Sequence, residues 1–405
     1  MEIGILGGGI AGLSVALALH KQGHTVRVYE RRNGLATMSA GVTLWPNAGF
    51  VLQELGLLED VAAAGGRPLS VQRKDAAGNS LGGLDITLLD RLMGYPTHTI
   101  LRRDLQAVLL DHVARAGIQV EFGHRAVAID LDAGDKAVAR FENGKRIRPD
   151  LLIGADGRMN SVARRFVAGD NTPIYQGFVN WIGVAQGSGA LVSDLAIQDY
   201  WGSGDRFGCV PIRTDLVYWA AAQARPLPEA TPAADLRKEV MDLFAGWPEP
   251  VACLIEATPA HTIQLIAVHD VEPLHTWSRA NVLLVGDAAH APLPTSGQGA
   301  CQALEDAWHL APCLAGADGG LDEALLRFAA VRGPKTTKLA EQGRLFARGL
   351  FAQDPETCRL RNERAKASDP LRDAQAMAAT WSQGLPMADC LDRAPANGAG
   401  SLYRL

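Results

Sequence analysis

The chain reads as an α/β protein with a Rossmann-like domain, an inserted antiparallel-sheet domain and a helical C-terminal segment. Three features predict this. The first apolar strand runs into Gly7-Gly8-Gly9-Ile10-Ala11-Gly12, and Glu30 stands eighteen residues after Gly12, ending a second apolar strand. Two more apolar strands end in acidic turns, Leu152-Ile153-Gly154-Ala155-Asp156-Gly157 and Val285-Gly286-Asp287. From about residue 172 to 268, short strand-like runs replace the strand–helix rhythm.

The N-terminal unit predicts a strand at Ile3–Leu6, a helix at Ala11–Gln22 and a strand at Thr25–Tyr29. Gly7 permits the tight turn, Gly9 lets backbone approach a pyrophosphate, and Gly12 lets the helix pack on the sheet. The helix N-terminus offers free N–H groups and partial positive charge. Glu30 is placed to accept a hydrogen bond from a ribose hydroxyl. A dinucleotide site is therefore expected.

Gly41–Ala48 then predicts a strand and turn leading into a helix that runs through Leu55. A helix opening at Arg102 carries apolar residues at 105, 108, 109 and 113, a helical period, with Asp104 as its expected N-cap. Strands fill the stretch from Val120 to Ile153, with Asn143-Gly144 suited to a type I′ hairpin turn. In the inserted region, strands are expected at Phe178–Val184, Phe207–Pro211, Leu216–Ala222 and Thr262–Val268. A loop is expected at Pro226–Pro232 and a helix at Asp235–Phe244. A long helix should run from Gly299 to about Leu314, with Pro312 as a kink site. The tail is helix-prone to Trp381, and Pro395–Gly400 is expected to be mobile. The expected division is 1–72, 95–171 and 278–345 for the nucleotide domain, 73–94 and 172–277 for the inserted domain, and 346–405 for the C-terminal segment.

Composition narrows the function. Apolar residues make up 47% of 405, enough for a large core, and 39 basic against 44 acidic residues give a net charge of −5. Bulk charge recruits neither nucleic acid nor an anionic membrane. Six scattered cysteines, Cys390 among them, form no C-x-x-C pair and read as reduced thiols of a cytoplasmic protein. Ten histidines show no metal spacing, so no metal is expected. The uncharged run Ile3–Leu19 contains five glycines and reads as buried strand and helix rather than a signal peptide. No uncharged run free of Pro and Gly is long enough to span a bilayer.

The acidic turns, with Gly286-Asp287-Ala288-Ala289-His290, Pro294-Thr295-Ser296-Gly297-Gln298-Gly299-Ala300 and Glu305-Asp306-Ala307, complete an ordered set. This set resembles the single-component FAD-dependent aromatic hydroxylases, the family of p-hydroxybenzoate and salicylate hydroxylases, over residues 1 to 345. The resemblance implies a Rossmann-like FAD-binding domain of the glutathione-reductase type. It implies that Gly7, Gly9, Ala11 and Gly12 hold the FAD pyrophosphate, and Glu30 the adenosine ribose with Arg31 beside it. Ala126 would contact adenine through its backbone. Arg102 would reach the phosphate and ribityl side, and Asp287 the ribityl chain. Asp156 would lie near the nucleotide and could serve the pyridine nucleotide. Thr43 would face the flavin, and Gly297, Gln298, Gly299, Ala300 and Cys301 would stabilise the reduced ring at N1/O2. His290 reads as a packing residue and Cys301 as a small helix residue.

On the substrate side, Asn180, Arg206 and Tyr218 stand in a frame similar to that of bacterial FAD-dependent urate hydroxylases. The match implies that these three line the substrate pocket, with Arg206 and Tyr218 as the catalytic pair. Phe207, Cys209 and Val210 are expected as apolar pocket neighbours. A small aromatic or N-heteroaromatic substrate, dioxygen, and NADPH or NADH would be the partners of a monomer or homodimer. Hydroxylation would proceed through a flavin C4a-hydroperoxide. Three other readings stay open: a flavin reductase, oxidase or halogenase; a nicotinamide dehydrogenase; and a non-catalytic flavin-binding module. The Trp-x-Trp-x-Ile-Pro signature of a halogenase is absent.

Overall fold

The computed structural model describes residues 1–35, 40–169, 172–187, 195–228, 235–316 and 320–387. Cys390, the run Pro395–Gly400 and part of the Pro226–Pro232 loop lie outside the described residues.

Five short apolar strands build a parallel sheet because both of its faces are covered by helices. In order across the sheet they are Val282–Leu284, Leu151–Gly154, Glu2–Leu6, Thr25–Tyr29 and Gln119–Glu121, with Ser278–Arg279 antiparallel at one edge. Parallel pairing brings the C-terminal ends of the strands to one edge, so Gly7, Glu30, Asp156 and Asp287 all follow strand ends there. Helix Ile10–Lys21 is buried continuously from Ile10 to Leu19 and packs along helix Gly299–Ala315. Its closeness requires glycine. A Cβ on Gly12 would stand 1.9 Å from the Gly7 carbonyl oxygen, whereas a Cβ on Gly9 would meet nothing within 4 Å.

A second, seven-stranded sheet runs in the order Gln264–Asp270, Ile174–Gln186, Leu216–Ala224, Asp205–Arg213, Ala196–Trp201, Ser70–Asp75, Ser80–Asp85. All pairings are antiparallel except that between Ala196–Trp201 and Ser70–Asp75. Its rear face buries Val179, Trp181, Phe207, Cys209, Val217 and Trp219 against Phe244, Val251 and Leu254 of the chain that includes helices Leu236–Leu243 and Val251–Glu256. Helices Leu321–Leu350, Pro355–Lys366 and Pro370–Trp381 follow among the described residues. Among the described residues no helix is long and apolar enough to cross a membrane.

Two local expectations are corrected. The N-cap of helix Arg102–Arg115 is Leu101, and Asp104 sits inside the first turn, where its charge complements the helix dipole. The hairpin at Glu142-Asn143-Gly144 closes with Phe141 and Lys145 bonded across it, and only Gly144 has positive φ (84°). It is a three-residue loop ending in a left-handed glycine, not a type I′ turn. The helix expected from Gly299 to about Leu314 is observed as Gly299–Ala315, with Pro312 inside it.

The glycine geometry sets a paired expectation. Gly12→Ala forces backbone apart and should cost on the order of 3 kcal/mol. Gly9→Ala enters open space at an ordinary φ of −85° and should change stability by less than about 0.5 kcal/mol. Urea unfolding of the two variants without added ligand checks the contrast.

Candidate functional site

The glycine turn is held open from behind. Glu30, buried, accepts from Gly8 N at 2.8 Å and from Arg32 N at 2.9 Å, and Gln106 Nε2 donates to Gly8 O at 2.6 Å. Among the described residues helix Ile10–Lys21 has no side-chain cap and no acid in its first turn, so its N-terminal N–H groups are left open to a ligand. With the open space at Gly9, this fits a diphosphate. Arg31 is exposed beside Glu30, Arg102 opens its helix with its N–H on Ala40 O at 2.7 Å, and Ala126 starts the strand Ala126–Leu131.

The two acidic turns differ. Asp156 accepts from Ser161 Oγ at 2.5 Å, Val162 N at 2.6 Å and Ala163 N at 3.2 Å. Burial pushes its carboxyl up despite these bonds. Its oxygens therefore serve the start of helix Val162–Ala168. Asp287 opens the short helix Asp287–His290 and stays partly exposed, with Arg158 Nη1 at 3.4 Å. Arg158, which brings the two acidic turns together, went unnoticed in the sequence; its only signal is its place directly after Asp156-Gly157.

At the other end of the cleft, strand Gly41–Leu44 pairs with His98–Leu101. Thr43 O lies 3.7 Å from Cys301 Sγ, and Trp45 Nε1 donates to Gly297 O at 3.1 Å. Gly297 has φ +63° and ends a short turn, after which helix Gly299–Ala315 begins with neither a side-chain cap nor an acid in its first turn. This second unanswered N-terminus fits an anionic ring edge. Gln298 is fully buried and turns inward, its Oε1 accepting from Asn47 Nδ2 (2.9 Å) and Gln302 Nε2 (3.1 Å). Gly299 and Ala300 are half-buried. Burial pushes the Cys301 thiol up to about 12, which leaves it without nucleophilic character at neutral pH.

Beneath this turn lies a buried ionic network. Glu305 pairs with Arg332 Nη1 (2.7 Å) and Lys335 Nζ (2.8 Å) and accepts from Asn47 Nδ2 (2.7 Å). Asp306 pairs with Arg332 Nε (2.8 Å), meets His290 Nε2 at 2.6 Å and accepts from Gly286 N at 2.7 Å. Burial alone would raise the Asp306 carboxyl, but His290 and Arg332 outweigh it and hold it down at about 2. Lys335 also donates to Trp381 O (2.6 Å) and Gln383 O (3.0 Å). His290 is thus a buried packing residue, as expected, with an acid partner. Asn47, Arg332 and Lys335 were missed: an arginine and a lysine three apart on a long helix read as a solvated face.

The pocket face of the seven-stranded sheet is fixed by alternation. Arg206, Gly208 and Val210 stand opposite Ala222, Ala220 and Tyr218, and Asn180 stands opposite Ala222 on the next strand. Arg206, Tyr218 and Asn180 therefore share one face. Phe207 and Cys209 do not; they lie in the rear core, which corrects their expected place in the pocket. Val210 stays on the Tyr218 side, packed near Leu101 and Ile212. A Cβ on Gly41 would stand 2.5 Å from the Tyr218 ring, so this face closes on the Gly41–Leu44 strand. Burial pushes the Tyr218 phenol up to about 12, keeping it a neutral donor. Arg206 Nε donates to Asp199 Oδ1 at 2.6 Å, and the Asn180 Oδ1 is buried without a partner among the described residues. Among the described residues no group of three or more His, Cys, Asp or Glu is placed to hold a metal ion.

Comparison with known proteins is consistent across sequence and structure. Residues 1–340 match the family described as FAD binding domain. The chain is 36% identical to the aurachin C monooxygenase/isomerase of Stigmatella aurantiaca over 81% of this chain and 84% of that one. It is 30% identical to an FAD-dependent urate hydroxylase of Mycolicibacterium vanbaalenii over 90% and 93%. The crystal structure of Klebsiella pneumoniae HpxO with FAD and uric acid superposes with a TM-score of 0.87 at 29% identity, covering 95% of this chain and 97% of that one.

Two outcomes follow from the ionic network. Lys335→Met leaves Glu305 short of a partner and frees the carbonyls at 381 and 383; it should cost about 3 kcal/mol and make the end of the chain after Pro370 more sensitive to limited proteolysis. Asp306 titrates lower when folded than its ordinary 3.8, so its contribution is complete above that value and is lost as pH falls through about 2. Acid unfolding should show the wild type losing on the order of 2 kcal/mol across that window, a loss absent from Asp306→Asn.

Proposed function

This chain belongs to the FAD binding domain family and is an FAD-dependent monooxygenase; from that premise we propose that it hydroxylates a planar aromatic or N-heteroaromatic ring. The ring would lie on the Arg206 side of the point where Tyr218 meets the strand Gly41–Leu44. The observation that carries this reading is the contact of the Tyr218 ring with Gly41, which closes the sheet face over the flavin end of the cleft. FAD, when bound there, would supply the redox chemistry that couples NAD(P)H and dioxygen to hydroxylation, with the second oxygen atom leaving as water.

The protein's part is binding, orientation and electrostatics. Gly7, Gly9, Ala11 and Gly12 and the open N-terminus of helix Ile10–Lys21 would receive the diphosphate. Glu30, with Arg31 beside it, would face the adenosine ribose, Ala126 the adenine, and Arg102 and Asp287 the linker. Asp156 would act indirectly, by fixing the turn that carries Arg158 to Asp287. Thr43 and the 297–301 segment would border the flavin, with the helix N-terminus at Gly299 stabilising negative charge on the reduced ring. Arg206, Asn180 and Tyr218 would hold the substrate by hydrogen bonds, Tyr218 as a neutral phenol. In this reading the six-stranded sheet and its helices form the cofactor domain, and the seven-stranded sheet roofs the substrate. With its cysteines free among the described residues, the protein is read as cytoplasmic.

The relatives' names make urate and other carbonyl-bearing N-heterocycles the first substrates to screen. Hydroxylated product should be measured against NAD(P)H consumed, because uncoupled oxidation yields only peroxide. Asp287→Ala should weaken FAD retention at least tenfold in a protein that stays folded; full flavin occupancy would remove Asp287 from the cofactor site. Arg206→Ala should lower kcat/KM for the identified substrate at least tenfold while flavin content is unchanged. Unchanged kcat/KM would overturn the pocket assignment.

A further inference from the structure

Arg206 does not stand alone on its sheet face. Asp199, only 6% exposed, lies one strand away and directly opposite Gly208. A Cβ on Gly208 would meet nothing closer than Asp199 Oδ1 at 3.9 Å, so the glycine leaves the carboxylate open to Arg206 from the neighbouring strand position. Arg206 Nε donates to Asp199 Oδ1 at 2.6 Å, and Trp201 Nε1 donates to Asp199 Oδ2 at 2.8 Å. Both carboxylate oxygens are thus engaged. The Arg206 side chain is 28% exposed against 8% for Asp199, which puts the acid behind and the guanidinium in front. Bonding through Nε fixes the guanidinium plane and leaves N–H groups on its terminal nitrogens as further donors.

Two other cations lie nearby, and one of them, Arg361, also feels the Asp199 charge. Arg361 and Arg73 lie over the Trp201 ring at 5.5 and 5.9 Å. Arg361 donates to the carbonyls of Gly202 (2.9 Å) and Leu350 (3.0 Å), and Arg73 faces Asp373. Asp199 is therefore the acid in direct contact with Arg206. Its negative charge offsets the guanidinium while leaving the N–H donors in place. An anion at the front of Arg206 would also feel the carboxylate behind it.

We propose that Asp199 is a specificity-determining residue, which makes Arg206 a hydrogen-bond donor with little net charge and so selects rings bearing neutral carbonyl groups over rings bearing a carboxylate. The proposal rests on the reading above that Arg206 faces the substrate. The charge is removable at nearly constant size: Asp199→Asn keeps one carbonyl acceptor, which serves Arg206 Nε or Trp201 Nε1 but not both.

The test uses the FAD-loaded protein and two near-isosteric probes, salicylate and salicylamide, titrated against the visible flavin spectrum. The wild type should bind salicylamide at least as tightly as salicylate. In Asp199→Asn the ratio of the two dissociation constants should swing at least tenfold toward salicylate. An unchanged ratio, or no response of that variant to either probe, overturns the proposal. The double variant Asp199→Asn/Arg206→Gln should lose the swing. A swing that persists without Arg206 instead overturns the placement of Arg206 at the substrate. Should Asp199→Asn fail to fold or to hold FAD, the wild type decides: a tenfold preference for salicylate, or no binding of either probe, counts against the role, and a preference for the amide supports it.

Discussion

Two adjacent carboxylates, Glu305 and Asp306, are the constraint on which the cofactor cleft depends. Both are fully buried, as is Arg332 between them. An ion pair removed from water is stabilising only when its remaining hydrogen-bonding capacity is met. Here it is met by Lys335, His290, Asn47, Gln302 and a backbone N–H. Neighbouring positions on a helix point about 100° apart, so the two acids reach different segments. Glu305 works through Asn47 and Gln302 on Gln298 and the turn before Gly299. Asp306 works on Gly286 and His290, at the two ends of the short helix that Asp287 opens. One helical position and its neighbour thereby fix both sides of the cleft.

The same network draws in the C-terminal segment. Lys335 binds the carbonyls of Trp381 and Gln383, and the Trp381 ring lies 5.0 Å from that of Trp45, whose indole holds Gly297. On the far side, Arg361 ties helix Pro355–Lys366 to Gly202 beside the Arg206–Asp199 pair. The tail carries no motif, yet it braces both sheets. A buried cation that ends on backbone carbonyls gains partners without needing particular side chains there, which is why such a brace leaves no pattern in the sequence.

The seven-stranded sheet divides its duties by alternation. Odd and even positions along Asp205–Arg213 point to opposite faces. One set, with Phe207 and Cys209, fills a core against the Phe244 and Val251 region. The other, with Arg206, Gly208 and Val210, faces the cleft and has little bulk near Asp199. Reading the strand as a continuous apolar stretch hides this division, because a strand covered on both faces is apolar throughout.

The sequence by itself determined the nucleotide-binding sheet, the helices that follow Gly9 and Gln298, and the placement of Glu30 and Asp287 at strand ends. Those features depend on local chemistry: glycine where backbone must close up, apolar runs where both faces are covered, an acid where a strand stops. That Asn180, Arg206 and Tyr218 belong together was implied by the family resemblance alone; strand period is local, but the register that puts them on one face is not. Only the tertiary structure decided which groups answer which. The pairing of Arg206 with Asp199, the reach of Arg158 to Asp287 and the convergence of Asn47, Arg332 and Lys335 on Glu305 join residues that are distant in the chain or on neighbouring elements. No local period encodes such pairings; they arise because a charge enclosed by the fold must find its partner inside it.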